Sequence, residues 1–504
     1  MSGELRDHLV AYFEDHHKIL ETGALQLLLD DTQPLALSRQ LLEQARPDAL
    51  LVTREMVEGV LARRIRFPSG NRSHDDPPAG PSSAIEPPAP SFELISEGFT
   101  ESPSNPGPLE AYGALFNSRF HQLSRLLRGR SDLPNLRPIK ELRPVEGRAS
   151  IIAMIREIRQ TAEKHHIILQ VEDETSSTEV LIPKDSPAAR TTFLPDEVIG
   201  LHLQLPRERG RLPRVLSVER PEVSLGRRMG RSTVPSRVLF LSDLHIGSRS
   251  FLGESWAQLA AFLHGRGPEP ELAQSIEHVV VAGDLVDGIG IYPKQERDLA
   301  IADVYEQYVE LGRRLRELPE RLNIVVVPGN HDAVCPAEPQ PSLPPTLRAH
   351  LPANVRPLAN PSSFSLNGVV VEAYHGRSFD DLIPALPGAS YARPTEVMKR
   401  MLAMRHLAPM YGGRTPLAPY ARDGLVIDPT PDILVTGHAH TYGVDQYRGV
   451  LLLNASTWQA ETEYQRMRNI SPVPARAAVV DLATIRLVTL DFSGYVPQVG
   501  GSVG

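Results

Sequence analysis

Val238-Leu239-Phe240-Leu241-Ser242-Asp243-Leu244-His245 is the stretch that decides the fold. A short apolar run without polar alternation reads as a strand buried on both faces, and polar residues directly after it lie at the strand's carboxyl end. The pattern recurs downstream. Val279 to Val281 precede Ala282-Gly283-Asp284, and Ile324 to Val327 precede Pro328-Gly329-Asn330-His331-Asp332. Strand, polar loop and helix alternate from Ser236 onward, which predicts a layered α/β domain over 233–495. In such a domain, loops at the carboxyl ends of buried strands bring together side chains from distant parts of the sequence.

The loops carry one chemistry. In order they supply Asp243 and His245, Asp284, Asn330 and His331, His375, then His438 and His440 after Thr436-Gly437. Two divalent ions about 3.5–4 Å apart need a bridging carboxylate with imidazole and amide ligands around it. Asp284 has two oxygens for bridging, and Asn330 offers a side-chain oxygen. In Asp243-x-His245 and His438-x-His440 the middle residue points away, so both flanking side chains face one place. Singly, each residue has an ordinary explanation: a strand-end aspartate caps a helix, and a lone histidine is satisfied in a core. Jointly, in five loops that each follow an apolar run, they read as a dinuclear site with ligands Asp243, His245, Asp284, Asn330, His375, His438 and His440. Asp332 is read as orienting His331 or capping a turn, and Asp287 as supporting a ligand or shaping its loop.

Whole-chain properties narrow the class. At 504 residues and 41% hydrophobic, the chain exceeds what one core serves. A single cysteine, Cys335, excludes a disulfide framework and a cysteine-based zinc cluster. A formal net charge of −8 argues against gripping nucleic acid by overall charge, while leaving room for a local basic groove. Met1 to His8 turn acidic before any apolar run, and no later stretch is long enough to span a bilayer, so a soluble, cytoplasmic protein is expected.

Ahead of the α/β domain, 1–65 reads as a small helical module and 109–130 as a connecting helix. Between them, 66–108 is crowded with Pro, Ser, Gly and Asn, as in Glu86-Pro87-Pro88-Ala89-Pro90, and is read as a disordered linker. Within 131–225, strand-like runs at Ala149 to Ile158, Ile167 to Val171, Val180 to Ile182, Val198 to Leu205 and Val215 to Val218 suit a small Greek-key barrel of the oligonucleotide-binding (OB) type. A barrel that touches only protein fits the same pattern.

The ordered motifs Asp-x-His, Gly-Asp, Gly-Asn-His-Asp, His and Gly-His-x-His resemble the calcineurin-like metallophosphoesterases. That resemblance implies that Asp284 bridges the ions and that His331 stands apart from the ligands as the catalytic residue, contacting the scissile phosphate and stabilising or protonating the leaving oxygen. Further stretches resemble the small subunit of archaeal D-family DNA polymerase. They are Gly288-Ile289-Gly290-Ile291-Tyr292-Pro293, Ala337-Glu338-Pro339-Gln340-Pro341, Tyr374 to Asp381, Arg405-His406-Leu407-Ala408-Pro409, and Thr457-Trp458-Gln459-Ala460-Glu461-Thr462 with Gln465. The family implies a 3′-to-5′ proofreading exonuclease that cleaves phosphodiesters of a DNA primer 3′ end with two divalent ions. Manganese is favoured, with iron or zinc compatible, and the partner is a large polymerising subunit. Arg377, Arg405 and His406 are candidates for holding phosphate, and Trp458 for stacking on a base. Two other readings share the motifs: a free-standing repair nuclease or phosphodiesterase, and a catalytically weak structural subunit.

Overall fold

In the computed structural model the described residues are parts of 6–57, then 64–66, 91–98, 109–129, 133–143, 147–208, 210–467 and 470–494. Near the N-terminus, β1 (Ile19–Leu20) pairs in parallel with β2 (Leu51–Val52) beside a helix over Thr22–Asp30. Leu9, Phe13, Leu28, Leu41 and Val57 bury together there. Two strands, β3 (Arg64–Arg66) and β4 (Phe92–Glu97), then leave this unit and join the C-terminal domain.

The helix Leu109–Arg128 carries Phe120, Leu123 and Leu127 on one stripe, which packs against Ile152, Met154 and Val198 on the outside of a barrel. The barrel closes from β5 (Gly147–Gln160), β6 (Ile167–Glu172), β7 (Ser177–Ile182), β8 (Val198–Leu205) and β9 (Arg214–Glu219) in the order β5-β6-β7-β9-β8. Alternate residues Ile151, Ala153 and Ile155 point inward to meet Leu169, Val180, Leu201 and Val215. Closure pairs both edges of every strand and leaves none open.

The rest of the chain forms two facing sheets. One contains β10 (Arg237–Leu241), β11 (Ile276–Ala282), β12 (Asn323–Val327) and β13 (Val355–Pro357). The other contains β14 (Ser362–Leu366), β15 (Val369–Ala373), β16 (Ile433–Thr436), β17 (Tyr442–Tyr447) and β18 (Val450–Ala455). The chain returns to the first sheet as β19 (Arg476–Asp481) and β20 (Leu487–Asp491), giving β13-β12-β11-β10-β19-β20-β3 against β17-β18-β16-β15-β14-β4. The central strands are apolar throughout because each serves two cores. Val238, Phe240, Val280, Ala282, Val325 and Val327 face the second sheet. Leu239, Leu241, Val279, Val281, Ile324 and Val326 face helices that present Trp256, Phe262, Tyr308 and Leu311. On the far side, Met398, Met401 and Leu402 cover Leu434, Val450 and Leu452. This is the expected layered α/β sandwich after a barrel. Among the described residues, no helix is long and apolar enough to cross a membrane.

The N-terminal third departs from expectation at two strands. The segment 67–90 and residues 99–108 of the expected linker lie outside the described residues, but Phe92–Glu97 pairs antiparallel with β14. Phe92 stacks on Phe364 at 5.7 Å, the Arg356 guanidinium lies 4.9 Å over its ring, and Glu97 Oε1 accepts from Ala359 N at 3.0 Å. All three partners lie more than 250 residues away in sequence, so local composition carried no sign of them. At the end of the expected helical module, Arg64–Arg66 extends the other sheet in parallel with β20.

Candidate metal centre

Each loop leaving a central strand turns sharply enough that its polar side chain folds back over the sheet edge. The backbone is left-handed at Asp243 (φ 52°), His245 (50°), Asp284 (49°), His438 (63°) and His440 (55°). Such conformations cost L-residues roughly 1–2 kcal/mol each, so the surroundings must impose them. Part of that constraint is apolar. Leu244 and Ala439, the middle residues of the two alternating motifs, are buried in the cores on opposite sides of the sandwich. Part is hydrogen bonding: Asp243 N donates to Gly283 O at 2.9 Å, His438 N donates to the Asp243 carboxylate at 3.0 and 3.1 Å, and His331 N donates to Asp284 Oδ1 at 2.9 Å.

Three glycines leave room for the ligands. A Cβ on Gly283 would lie 2.3 Å from His375 Nδ1, one on Gly329 would lie 2.2 Å from Asp284 Oδ1, and one on Gly437 would lie 2.3 Å from Asp243 Oδ2. The requirement at Gly329 is therefore space for the neighbouring carboxylate, where the sequence suggested a sharp backbone turn.

The ring nitrogens that face away from the centre have partners. His245 Nδ1 lies 2.9 Å from Asp287 Oδ1, His331 Nδ1 lies 2.7 Å from Asp287 O, and His375 Nδ1 lies 3.1 Å from Ala282 O. With Nδ1 carrying the proton, each Nε2 is left to face inward as a lone pair. His245 and His440 bring their Nε2 atoms to 3.0 Å, and Asp284 Oδ2 stands 3.4, 3.8 and 3.9 Å from Nε2 of His375, His245 and His331. Asn330 Oδ1 lies 3.0 Å from His375 Nε2. His438 differs: its Nε2 lies 3.2 Å from Asp380 Oδ1, on the rim. Asp287 is tied to a ligand, one of the two roles its sequence position allowed, and Gln459 Nε2 in turn donates to Asp287 Oδ1 at 3.0 Å. Asp332 accepts from Gly329 N at 2.8 Å, Leu285 N at 3.1 Å and Tyr308 OH at 2.8 Å, which places it behind the Asp284 loop.

Asp243 and Asp284 are essentially fully buried. Burial opposes their charge, yet the rings of His440 and His375 hold Asp243 below, and those of His375, His331 and His245 hold Asp284 well below, the ordinary carboxylate range. Burial pushes His375 down, but the Asp284 and Asp243 carboxylates outweigh it and raise the ring to about 10. At His331 burial prevails over Asp284, and the ring's pKa falls. Among the described residues, no lysine or arginine pairs with Asp243, Asp284 or Asp287. Facing lone pairs around buried carboxylates without fixed cations form a donor set that suits divalent first-row ions.

The cluster forms the floor of a cleft of about 410 Å³ that includes His245, Asp284, Asn330, His331, His438 and His440. Arg377 stands in its wall as expected, with Nη1 donating to Pro336 O at 2.7 Å. The other three proposed substrate contacts do not reach the cleft. Arg405 is buried, with Nε donating to Ile427 O at 2.7 Å. His406 is sealed against Asp423 at 2.9 Å, and Trp458 is wedged between Trp256 and Phe492. These are corrections with one cause: the polar groups of Arg405 and His406 meet partners inside the domain, and the Trp458 indole supplies core volume. Sequence reading missed Arg414, Tyr391, Gln459 and Gln465, all of which line the cleft. Gln465 Nε2 lies 2.6 Å from His440 Nδ1. The signal for the two glutamines was their place in the stretch from Thr457 to Gln465, where Trp458 is the more conspicuous residue type.

A family model for the B-type subunit of DNA polymerase alpha/epsilon matches residues 238–444. The DNA polymerase II small subunit of Archaeoglobus fulgidus is 42% identical over 389 residues, covering 76% of this chain and 78% of that protein. The protein of the same name from Methanothermobacter thermautotrophicus is 39% identical over 410 residues, covering 80% and 83%. Among solved structures, Vacuolar Protein Sorting 29 from Cryptosporidium parvum is similar over 49% of this chain and 86% of its own, at 18% identity and a TM-score of 0.26. An OB domain from Methanosarcina mazei covers 17% of this chain and 83% of its own, at 18% identity and a TM-score of 0.16. Given relatives at 42% and 39% identity matched over most of their own length, this chain belongs to the family of archaeal DNA polymerase II small subunits.

Proposed function

We propose that this chain is the 3′-to-5′ proofreading exonuclease of a two-subunit polymerase, hydrolysing DNA phosphodiesters with two divalent ions while a large subunit polymerises. The observation that carries this reading is the cleft itself: buried carboxylates and inward-facing ring nitrogens, without fixed cations, open onto a wall that bears Arg377 and Arg414. Asp243, His245 and His440 would hold one ion, Asn330, His375 and His438 the other, and Asp284 would face both. His438 would exchange Asp380 for the ion. Oxygen and nitrogen donors accept manganese, the favoured metal, as well as iron or zinc. When bound, such a pair supplies Lewis-acid stabilisation of phosphate charge and acidifies water.

The remaining steps belong to side chains. Asp287, held by Gln459 and by Gln295 Nε2 donating to its carbonyl at 2.8 Å, fixes the rings of both His245 and His331. His331 keeps its Nδ1 on the Asp287 carbonyl and presents Nε2 to the cleft, placed to hold or deliver a proton at the leaving oxygen. An anionic phosphate there offsets the burial that lowers its pKa. Arg377 and Arg414 attract the phosphate, and a cleft of about 410 Å³ has the size of a small-ligand site, which favours a strand end over a duplex.

The test uses the purified chain with manganese and a labelled primer–template whose 3′ end is matched or mispaired, beside His331→Ala and Asp284→Ala. Stepwise shortening from the 3′ end, lost in both variants, is expected. Internal cuts, or variants as active as the parent, would sink the assignment. Co-purification with a large polymerising subunit tests the partner.

A further inference from the structure

We propose that the cleft between the barrel and the phosphoesterase domain, walled by Arg220, Arg393 and Arg400, binds the phosphodiester backbone of single-stranded DNA. The cleft measures about 520 Å³ and is also lined by Thr191, Thr192 and Glu396, with the turn 386–389 along one side. Its floor has surplus positive charge. Arg220 comes from the barrel side and Arg400 from the helix Pro394–Met404, and both converge on one carboxylate, Glu197, which is almost fully buried. Arg220 Nε lies 2.5 Å from Glu197 Oε1, and Arg400 Nη2 lies 3.2 Å from Oε2. Both guanidiniums also donate to Thr192 O, at 3.0 and 2.5 Å.

One carboxylate cannot balance two guanidiniums, so the floor keeps a net positive charge. Arg400 Nε has no partner among the described residues. Burial lowers the pKa of Arg400, and Arg220 opposes its charge further, a repulsion that an anion beside the pair would relieve. Arg393 adds a third, exposed guanidinium that holds the turn by donating to Gly388 O. Glu396, the acid in the wall, is already engaged by Lys399 Nζ at 2.9 Å. In a chain of formal charge −8, such a local surplus stands out as a place for an anionic partner.

Continuity with the metal cleft identifies the anion. Pro384 and Tyr391 line the metal cleft, while 386–389, on the same turn, line the arginine cleft. A strand whose end lies over the metal site and whose body crosses this turn meets the arginines next. Threonine hydroxyls and guanidiniums without an aromatic platform suit contact with a backbone more than reading of bases. The polarity of the strand rests on the proposed exonuclease function, but the binding does not.

The experiment is fluorescence anisotropy of the full-length chain with labelled oligo(dT) of twenty or four nucleotides, without divalent metal, so that no hydrolysis enters. Arg393→Glu places a carboxylate at an exposed position, and Thr192→Asp is an independent change on the opposite side; thermal melting confirms that each is folded. Both are expected to weaken the 20-mer about tenfold and leave the 4-mer unchanged. The salt dependence of 20-mer binding should become shallower by about 0.7 in log–log slope for each phosphate no longer engaged. Unchanged 20-mer affinity in both folded variants overturns the proposal, as does an equal loss for both lengths. Displacement of the 20-mer by poly-glutamate as readily as by unlabelled oligo(dT) would assign the cleft to an acidic protein segment instead. Loss of hydrolysis in the primer assay with 20-mer binding intact would count against the exonuclease reading alone.

Discussion

Asp284 and Asp423 are both buried carboxylates in contact with histidine in the same domain, yet they are neutralised in opposite ways. Asp423 is satisfied from within: Arg119 Nε reaches Oδ2 at 2.7 Å, His406 Nε2 reaches it at 2.9 Å, and Leu425 N donates to Oδ1 at 3.0 Å. That cluster pins the helix Leu109–Arg128 to the phosphoesterase domain and has no opening to a cleft. Asp284 has three imidazoles around it, no arginine or lysine among the described residues, and a cleft above it. A closed cluster with its own cation supports architecture, whereas an open one that lacks a cation is prepared to receive one. Glu372 on β15 is a third case. Burial raises its pKa to about 7, against which Ser363 and Arg405 pull only partly, so it is tolerated by keeping its proton.

The sharpest way to break this contrast is catalytic. His331→Ala should lower hydrolysis roughly 10³-fold while leaving metal-dependent stabilisation intact, because its role is proton handling and not ligation. Single-turnover kinetics beside thermal melts with manganese check both halves. If Asp423 is structural, Asp423→Ala should cost about 3–5 kcal/mol in urea unfolding, since it strands Arg119 in the interior, and the remaining folded protein should still respond to metal. A response to metal lost together with stability would merge the two clusters into one.

Glu372 sharpens the middle case through pH. Its folded pKa of about 7 lies above the ordinary 4.5, so the folded state holds the proton more tightly. The stability it lends is complete below about pH 4.5 and is lost as pH rises through 7, amounting to roughly 3 kcal/mol. Glu372→Gln should therefore gain on the parent between pH 5 and pH 8, read from urea midpoints at each pH. A constant difference would mean the carboxyl is already ionised in the fold. The smallest expected effect is thermodynamic. Manganese at a hundred times its Kd should stabilise the parent by about 2.7 kcal/mol and Asp284→Ala by much less.

The open cluster was legible in the sequence and most of its surroundings were not. Asp243, Asp284 and Asn330 each follow an apolar run within a few residues, so strand and loop could be read together and their convergence inferred from the layered fold. Arg405, His406 and Trp458 carried the same residue types in a recognisable stretch, but their partners are Ile427, Asp423 and Trp256. Arg414, in contrast, stood in an unremarked glycine-rich turn and lies in the cleft wall; its backbone N donates to Asp381 Oδ1 at 2.6 Å. The strand Phe92–Glu97 was hidden for a related reason, since six residues amid proline-rich chain become a strand only when β14 supplies an edge.

By itself, then, the sequence determined the layered sandwich, the closed barrel and the order in which ligand-type side chains arrive at one sheet end. Those follow from short-range rules: alternation, apolar runs, and the glycine placed before a ligand. Only the tertiary structure decided which histidines and arginines face the cleft, which acid is matched by a buried cation, and that two arginines from different domains share Glu197. The physical reason is distance along the chain. Arg119 and Asp423 are 304 residues apart, and whether a buried charge is compensated depends on what packing brings beside it.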